Sequence, residues 1–149
     1  MRLVVQRVSQ ARVEVKGEVV GVIDHGLLVF VGIERGDGER EAAFMADKVL
    51  NLRIFPDDCG RMNRSVQDAK GEILSISQFT LASHVQKGRR PDFNNAEVPE
   101  RAERLYEFLN RLMAAAAPVQ TGVFGAMMQI HAIHDGPVTL IIEKKYGEG

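Results

Sequence analysis

The stretch Asp135-Gly136-Pro137-Val138-Thr139 lies between two apolar runs, Phe124 to Ile133 before it and Val138 to Ile142. Both runs suit strands. Proline has no N–H to give to a ladder, and glycine reaches backbone angles closed to other residues. Regular sheet geometry therefore has to break between the two runs, at a tight connection. The five residues fit a plain turn first, since Gly-Pro is ordinary turn punctuation, and they also fit a backbone element whose carbonyls face a ligand. Local sequence does not choose between these.

The remaining chain supplies a sheet for those runs to join. Leu3 to Val8 is valine-rich and reads as a strand, and Ala11 to Val15 alternates apolar and polar residues. Lys16-Gly17 is a hairpin turn leading to Glu18–Ile23. Leu27 to Val31 is apolar at every position, which predicts a strand covered on both faces. Asp37 is a candidate helix N-cap. After it, Ala42, Met45, Ala46, Val49 and Leu52 fall on one stripe of a helix from Glu39 to Asn51. Leu52–Phe55 is extended, and Arg61 to Lys70 reads as an ordered loop. Glu72 to Leu81 starts as a strand. Pro99 suits a first helical turn, and Ala102, Leu105, Tyr106, Leu109, Leu112 and Met113 carry a second helix to about Ala116. The order predicts one α+β domain over residues 1–149, with a curved, mainly antiparallel sheet and two main helices.

Composition narrows the class. Of 149 residues, 45% are hydrophobic and 26% charged, which suits a globular chain with a core. A net charge of −1 argues against a surface coated in cations for nucleic acid, though a local patch remains compatible with it. The single Cys59 excludes an internal disulfide framework. The start Met1-Arg2-Leu3-Val4-Val5 has no signal-peptide core, and no stretch approaches a membrane span, so a cytoplasmic protein without membrane contact is expected. The four His and one Cys show no zinc spacing, and neither a metal nor another cofactor is expected.

Two constellations carry chemistry. Ser77-Gln78-Phe79-Thr80-Leu81 puts hydroxyls, an amide and backbone N–H groups where a strand would continue. It is a candidate oxyanion hole, with Thr80 as nucleophile or water-orienting group, or else an edge strand with a polar face. No neighbouring acid completes a triad, and His84 reads as a surface residue. Lys87-Gly88-Arg89-Arg90-Pro91-Asp92-Phe93 can hold phosphates and stack a base, or be a solvated loop. Arg61-Met62-Asn63-Arg64 is equally ambiguous. His131 and His134, three apart in a strand, point to opposite faces and do not form a shared metal site.

Several blocks together resemble the D-aminoacyl-tRNA deacylase family. They are MRLVVQRV (1–8), GLLVFVGI (26–33), LRIF (52–55), SQFTL (77–81), KGRRPDF (87–93) and GPVT (136–139), in order and nearly end to end. Two departures flank the motifs: Ala82-Ser83-His84 where a small or aromatic residue and then an acid are expected, and His134 where Asn is expected. The resemblance implies a homodimer of small barrel-like α+β subunits, and hydrolysis of the ester joining a D-amino acid, or glycine, to the 3′ end of tRNA. It implies that Ser77, Gln78, Phe79 and Thr80 form the catalytic pocket. Gly136 and Pro137 are then a cis pair inserted into the partner's site to impose chirality. Phe93, Val138 and Thr139 contact the substrate, and Lys87, Arg89 and Arg90 grip tRNA phosphates. Two other readings are less favoured. A domain editing L-amino acids from tRNA sits poorly with this length and with GPVT, and a non-catalytic nucleic-acid-binding dimer sits poorly with near-neutral charge.

Overall fold

The computed structural model describes residues 1–148. Its sheet is organised on β1 (Arg2–Val15), along which Leu3, Val5, Val8, Ala11 and Val13 are buried. The first half of β1 pairs antiparallel with β3 (Gly26–Gly32), and the second half with β2 (Glu18–Ile23). The two segments read as separate strands are thus one. Exposed Ser9 and Gln10 carry it from one partner to the next. Lys16 and Gly17, at φ 50° and 79°, close the hairpin.

The unbroken apolar run of β3 has the expected cause. Leu27, Val29 and Val31 pack in the core shared with the helices, while Leu28 packs in a second core inside the curved sheet with Val13, Leu74 and Ile76. Helix α1 (Glu39–Asn51) buries Ala42, Met45, Ala46 and Val49, as its periodicity predicts. Leu50 takes the place expected for Leu52, which lies just past the helix end. Helix α2 (Pro99–Ala114) begins on its proline and buries Leu105, Tyr106, Leu109 and Met113.

The sheet is mainly antiparallel, as expected, but it is mixed. β6 (Glu72–Ser77) runs parallel to β3, and β7 (Val119–Thr121) parallel to β6. Each of these steps contains a helix, α1 in the first and α2 in the second, and a helical crossover returns the chain in its original direction. The sheet nearly closes into a barrel where β2 meets β7. A Cβ on Gly21 would lie 2.8 Å from the Thr121 carbonyl oxygen, so glycine lets the two edges meet. The expected loop after Arg61 contains a short strand, β5 (Met62–Arg64), paired with β4 (Phe55–Pro56).

Asp37 is not a helix cap. Gly38 is the N-cap of α1, and its N–H donates to the Glu41 carboxylate at 2.8 Å. Asp37 turns inward, 1% exposed, and accepts from the Met1 ammonium at 2.8 Å and the Glu34 N–H at 2.7 Å. Burial pushes its carboxyl above the ordinary range, and the ammonium pulls against that. Asp37→Asn is expected to lower the unfolding free energy by roughly 3 kcal/mol, because a buried ammonium loses its nearest counter-charge. Urea titration reads this as a lower midpoint at unchanged slope.

The closing segment departs most from expectation. The turn at Val123–Ala126, where the Ala126 N–H donates to the Val123 carbonyl at 3.1 Å, occupies the start of the first apolar run. From Gln129 to Glu143 the chain is one strand, β8, antiparallel to β1 on both sides of Gly136-Pro137. Val8 stands opposite His134 and Gln6 opposite Thr139, so Arg7 alone faces residues 135–138. The break is a bulge rather than a reversal. β1 is the only strand that β8 pairs with among the described residues, which leaves its other edge free to carry a proline.

Candidate active site

β6 stops at Ser77, where the polar residues of the motif begin. The Gln78 N–H still donates to the Val31 carbonyl at 2.8 Å, as a last rung. Phe79–Ala82 then coil into a 3₁₀ turn, with the Leu81 N–H donating back to the Gln78 carbonyl at 3.1 Å. The N–H groups of Phe79 and Thr80 lead this turn, where a helix offers them no internal acceptor. From behind, the buried Tyr106 hydroxyl on α2 donates to the Ser75 carbonyl at 2.6 Å and ties β6 to the helix.

Ser77, Gln78, Phe79 and Thr80 line one cavity of about 560 Å³. Its other walls are the start of α2 at Pro99 and Ala102, the turn at 124–128, and Ile130 of β8. Gln78 Nε2 donates to Thr80 Oγ1 at 2.5 Å. Among the described residues no imidazole or carboxylate bonds Thr80. His84 instead exchanges backbone hydrogen bonds with Asp92 across the neck of the following loop, at 2.8 and 2.9 Å.

That loop brings Phe93 to Phe79, with ring centroids 5.3 Å apart. The rings are 40% and 59% exposed, so each keeps a surface free for another flat group. Lys87, Arg89 and Arg90 lie exposed on the same loop and form no ion pair among the described residues.

The second motif stands apart from this cavity. Gly136, Pro137, Val138 and Thr139 do not line it. Gly136 and Pro137 are exposed on the bulge, and the peptide between them is cis. Val138 packs against the helix-side core, and Thr139 is exposed opposite Gln6. Gly136 sits at φ 131°, and a Cβ there would lie 2.9 Å from the Val138 nitrogen. Arg7 clamps the bulge. Its Nε donates to the Asp135 carbonyl at 3.1 Å and pairs with the carboxylate at 3.2 Å, while Nη1 donates to the Ile54 carbonyl at 2.6 Å.

Sequence reasoning missed two residues. Arg7 was visible as a lone cation in an apolar strand. Glu97, the only charged residue among the described residues that line the cavity, belongs to no motif and gave no signal. His131 and His134 do not converge: His131 Nε2 lies 3.4 Å from Glu14. Among the described residues no three His, Cys, Asp or Glu side chains gather as a metal site would require.

Residues 4–143 match the family described as D-Tyr-tRNA(Tyr) deacylase. The D-aminoacyl-tRNA deacylase of Brevibacillus brevis is 57% identical over 144 residues, which is 96% of this chain and 99% of the relative. That of Geobacter metallireducens is 51% identical over 150 residues, covering 100% and 99%. Among solved structures, the c-Myc DNA Unwinding Element Binding Protein superposes with a TM-score of 0.91 at 44% identity, over 97% of this chain and 99% of that one. A probable eukaryotic D-amino acid tRNA deacylase superposes with a TM-score of 0.81 at 18% identity and shares the fold.

Proposed function

The chain belongs to the D-Tyr-tRNA(Tyr) deacylase family, and on that premise we propose how its cavity and its bulge divide the work of a D-aminoacyl-tRNA deacylase. The enzyme is a hydrolase of aminoacyl-tRNA ester bonds. One observation carries the finer reading: the Gly136-Pro137 bulge stands on a free strand edge, outside the cavity of its own chain. A second copy, docked along β8, supplies its bulge to that cavity. Exposed Ile133 and Ile141, 58% and 68% accessible on the same strand, support such a partner.

The ester is already activated, so positioning and electrostatics suffice. The N–H groups of Phe79 and Thr80 take the developing oxyanion. Thr80, held by the Gln78 amide, orients a water, and the tRNA 2′-hydroxyl assists its attack. Carbonyls of Gly136 and Pro137 from the second copy hold the α-ammonium. With ester and amine fixed, an L side chain runs into the bulge, whereas a D side chain points away from it. Glycine has nothing to exclude, so glycyl-tRNA is also cleaved. Phe79 and Phe93 stack the terminal base, and Lys87, Arg89 and Arg90 meet phosphates. The substrate places this proofreading step in the cytoplasm.

Incubation with D-tyrosyl-, L-tyrosyl- and L-seryl-tRNA tests the reading. Loss of the D ester alone is expected, and cleavage of an L ester at a similar rate contradicts the chiral gate. Replacing Lys87, Arg89 and Arg90 together by alanine should raise KM and flatten the dependence of log(kcat/KM) on log salt by roughly 2, with kcat little changed. An unchanged salt slope removes the three cations from the tRNA path.

A further inference from the structure

We propose that the hairpin of β4 and β5 holds, through Arg53, Arg61 and Arg64, the acceptor-stem phosphates of the tRNA whose ester lies in the other subunit's cavity. The inference rests on the deacylase reading and the cross-subunit bulge above. Arg61-Met62-Asn63-Arg64 is a basic cluster that neither the cavity nor the bulge uses.

One side chain ties this hairpin to the bulge. Arg7, 11% exposed, donates from Nη1 to the Ile54 carbonyl at 2.6 Å and from Nε to the Asp135 carbonyl at 3.1 Å. A guanidinium is rigid and planar, so the base of the hairpin stands beside Gly136-Pro137 at a set spacing. Ile54 and Phe55 are buried in the helix-side core, which pins the same end from behind. A bulge that enters a partner's cavity therefore carries this hairpin to the rim of that cavity. Lys87, Arg89 and Arg90 instead follow the cavity's own 3₁₀ turn. The two basic groups at any one site then belong to different chains.

The charges on the hairpin suit phosphate. Arg53 precedes Ile54, and Arg64 stands opposite Phe55, so both lie at the end nearest the bulge. Arg53 Nε donates to the Asn63 carbonyl at 2.9 Å. Arg61 is exposed and forms no ion pair among the described residues. Two carboxylates share the hairpin. Asp57 turns onto its own loop and accepts from the Cys59 and Arg61 N–H groups at 2.9 and 3.0 Å. Asp58 pairs with Arg64 at 2.9 Å, but its side chain is 92% exposed, and so open an ion pair contributes little. A phosphate can offer the same guanidinium two oxygens and so displaces Asp58. The substrate brings such phosphates to this rim, and arginine is the cation suited to them.

The test replaces Arg53, Arg61 and Arg64 together by Gln, which keeps N–H donors for the Asn63 carbonyl and for Asp58. D-tyrosyl-tRNA is compared with D-tyrosyl-adenosine, which has the ester and the base but no phosphates. The ratio of kcat/KM on the first to that on the second should fall about tenfold, through KM, and the dependence of log(kcat/KM) on log salt for the tRNA should flatten by roughly 2. A hairpin that matters only to the fold lowers both rates and leaves the ratio unchanged. Asp58→Asn, which releases Arg64, should raise the ratio. Two tagged heterodimers then identify the chain at work, with Phe79→Pro silencing the cavity of its own chain. When the Gln substitutions and Phe79→Pro share a chain, the live cavity faces the altered hairpin and should show the raised KM. When they lie on opposite chains, the live cavity faces an intact hairpin and should show the wild-type KM. An unchanged ratio in the triple variant, a fall in the ratio for Asp58→Asn, or the opposite pattern in the heterodimers overturns the assignment. So does a triple variant that no longer associates. A wild type that is monomeric in solution overturns the cross-subunit reading beneath it, and one that leaves D-tyrosyl-tRNA intact overturns the deacylase reading itself.

Discussion

Phe79→Pro should lower kcat on D-tyrosyl-tRNA by about a hundred- to a thousandfold relative to Phe79→Ala, with little change in KM. Both variants lose the ring, so their difference isolates one backbone N–H. Proline is tolerated there on structural grounds. Phe79 opens the 3₁₀ turn, a position whose N–H has no helical acceptor and whose φ suits proline. Gln78 before it lies at φ −140°, ψ 82°, outside the α region that a following proline disfavours. The magnitude is that of removing one donor from an oxyanion hole. It falls on kcat because the oxyanion exists only in the transition state. Single-turnover kinetics on the two variants, with circular dichroism as a fold control, make the comparison. Equal rates for the proline and alanine variants would take the Phe79 N–H out of the chemistry.

Elements whose cause is local were legible in the sequence. The Lys16-Gly17 hairpin, the doubly buried β3 and the apolar stripe of α1 follow from turn chemistry and from periods of 2 and 3.6, and each lies where its residues indicate. Features decided by a distant partner were not legible. A Gly-Pro pair reads alike in a turn and in a bulge, and only the pairing of β1 with both flanks of residues 135–138 distinguishes them. Asp37 has the composition of a helix cap, but the Met1 ammonium, 36 residues away in sequence, draws it inward. Ser77 to Thr80 stand out because polar residues interrupt an apolar strand, although the helical turn that follows has no local mark. Glu97 lacked even that. Its place in the cavity depends on how the 84–97 loop returns to Ile33, and no periodicity records this.

Gly136→Ala should bring hydrolysis of L-tyrosyl-tRNA to within about tenfold of the D ester, a loss of selectivity rather than of activity. The added Cβ would lie 2.9 Å from both the Val138 nitrogen and Val138 Cγ2, at a φ of 131° that side chains rarely adopt. Its neighbours are held: Val138 is half-buried against the core, and Arg7 holds Asp135 through its carbonyl and carboxylate. The shift must therefore fall on Gly136-Pro137 itself. A gate that works by exclusion is sensitive to such a shift, because rejection depends on where backbone atoms stand rather than on a contact made. Whether the gate acts on its own cavity or on a partner's is then decidable. A heterodimer of Gly136→Ala and Phe79→Pro chains, purified with two tags, has one live cavity, and that cavity belongs to the Gly136→Ala chain. If the bulge acts across the interface, this cavity faces the intact bulge of the other chain, and the heterodimer should reject the L ester as the wild type does, at about half the wild-type rate per dimer. If the bulge acts within its own chain, the same heterodimer should cleave L and D esters alike. Selectivity in the heterodimer thus reports which chain carries the gate, independently of how far either substitution weakens the fold.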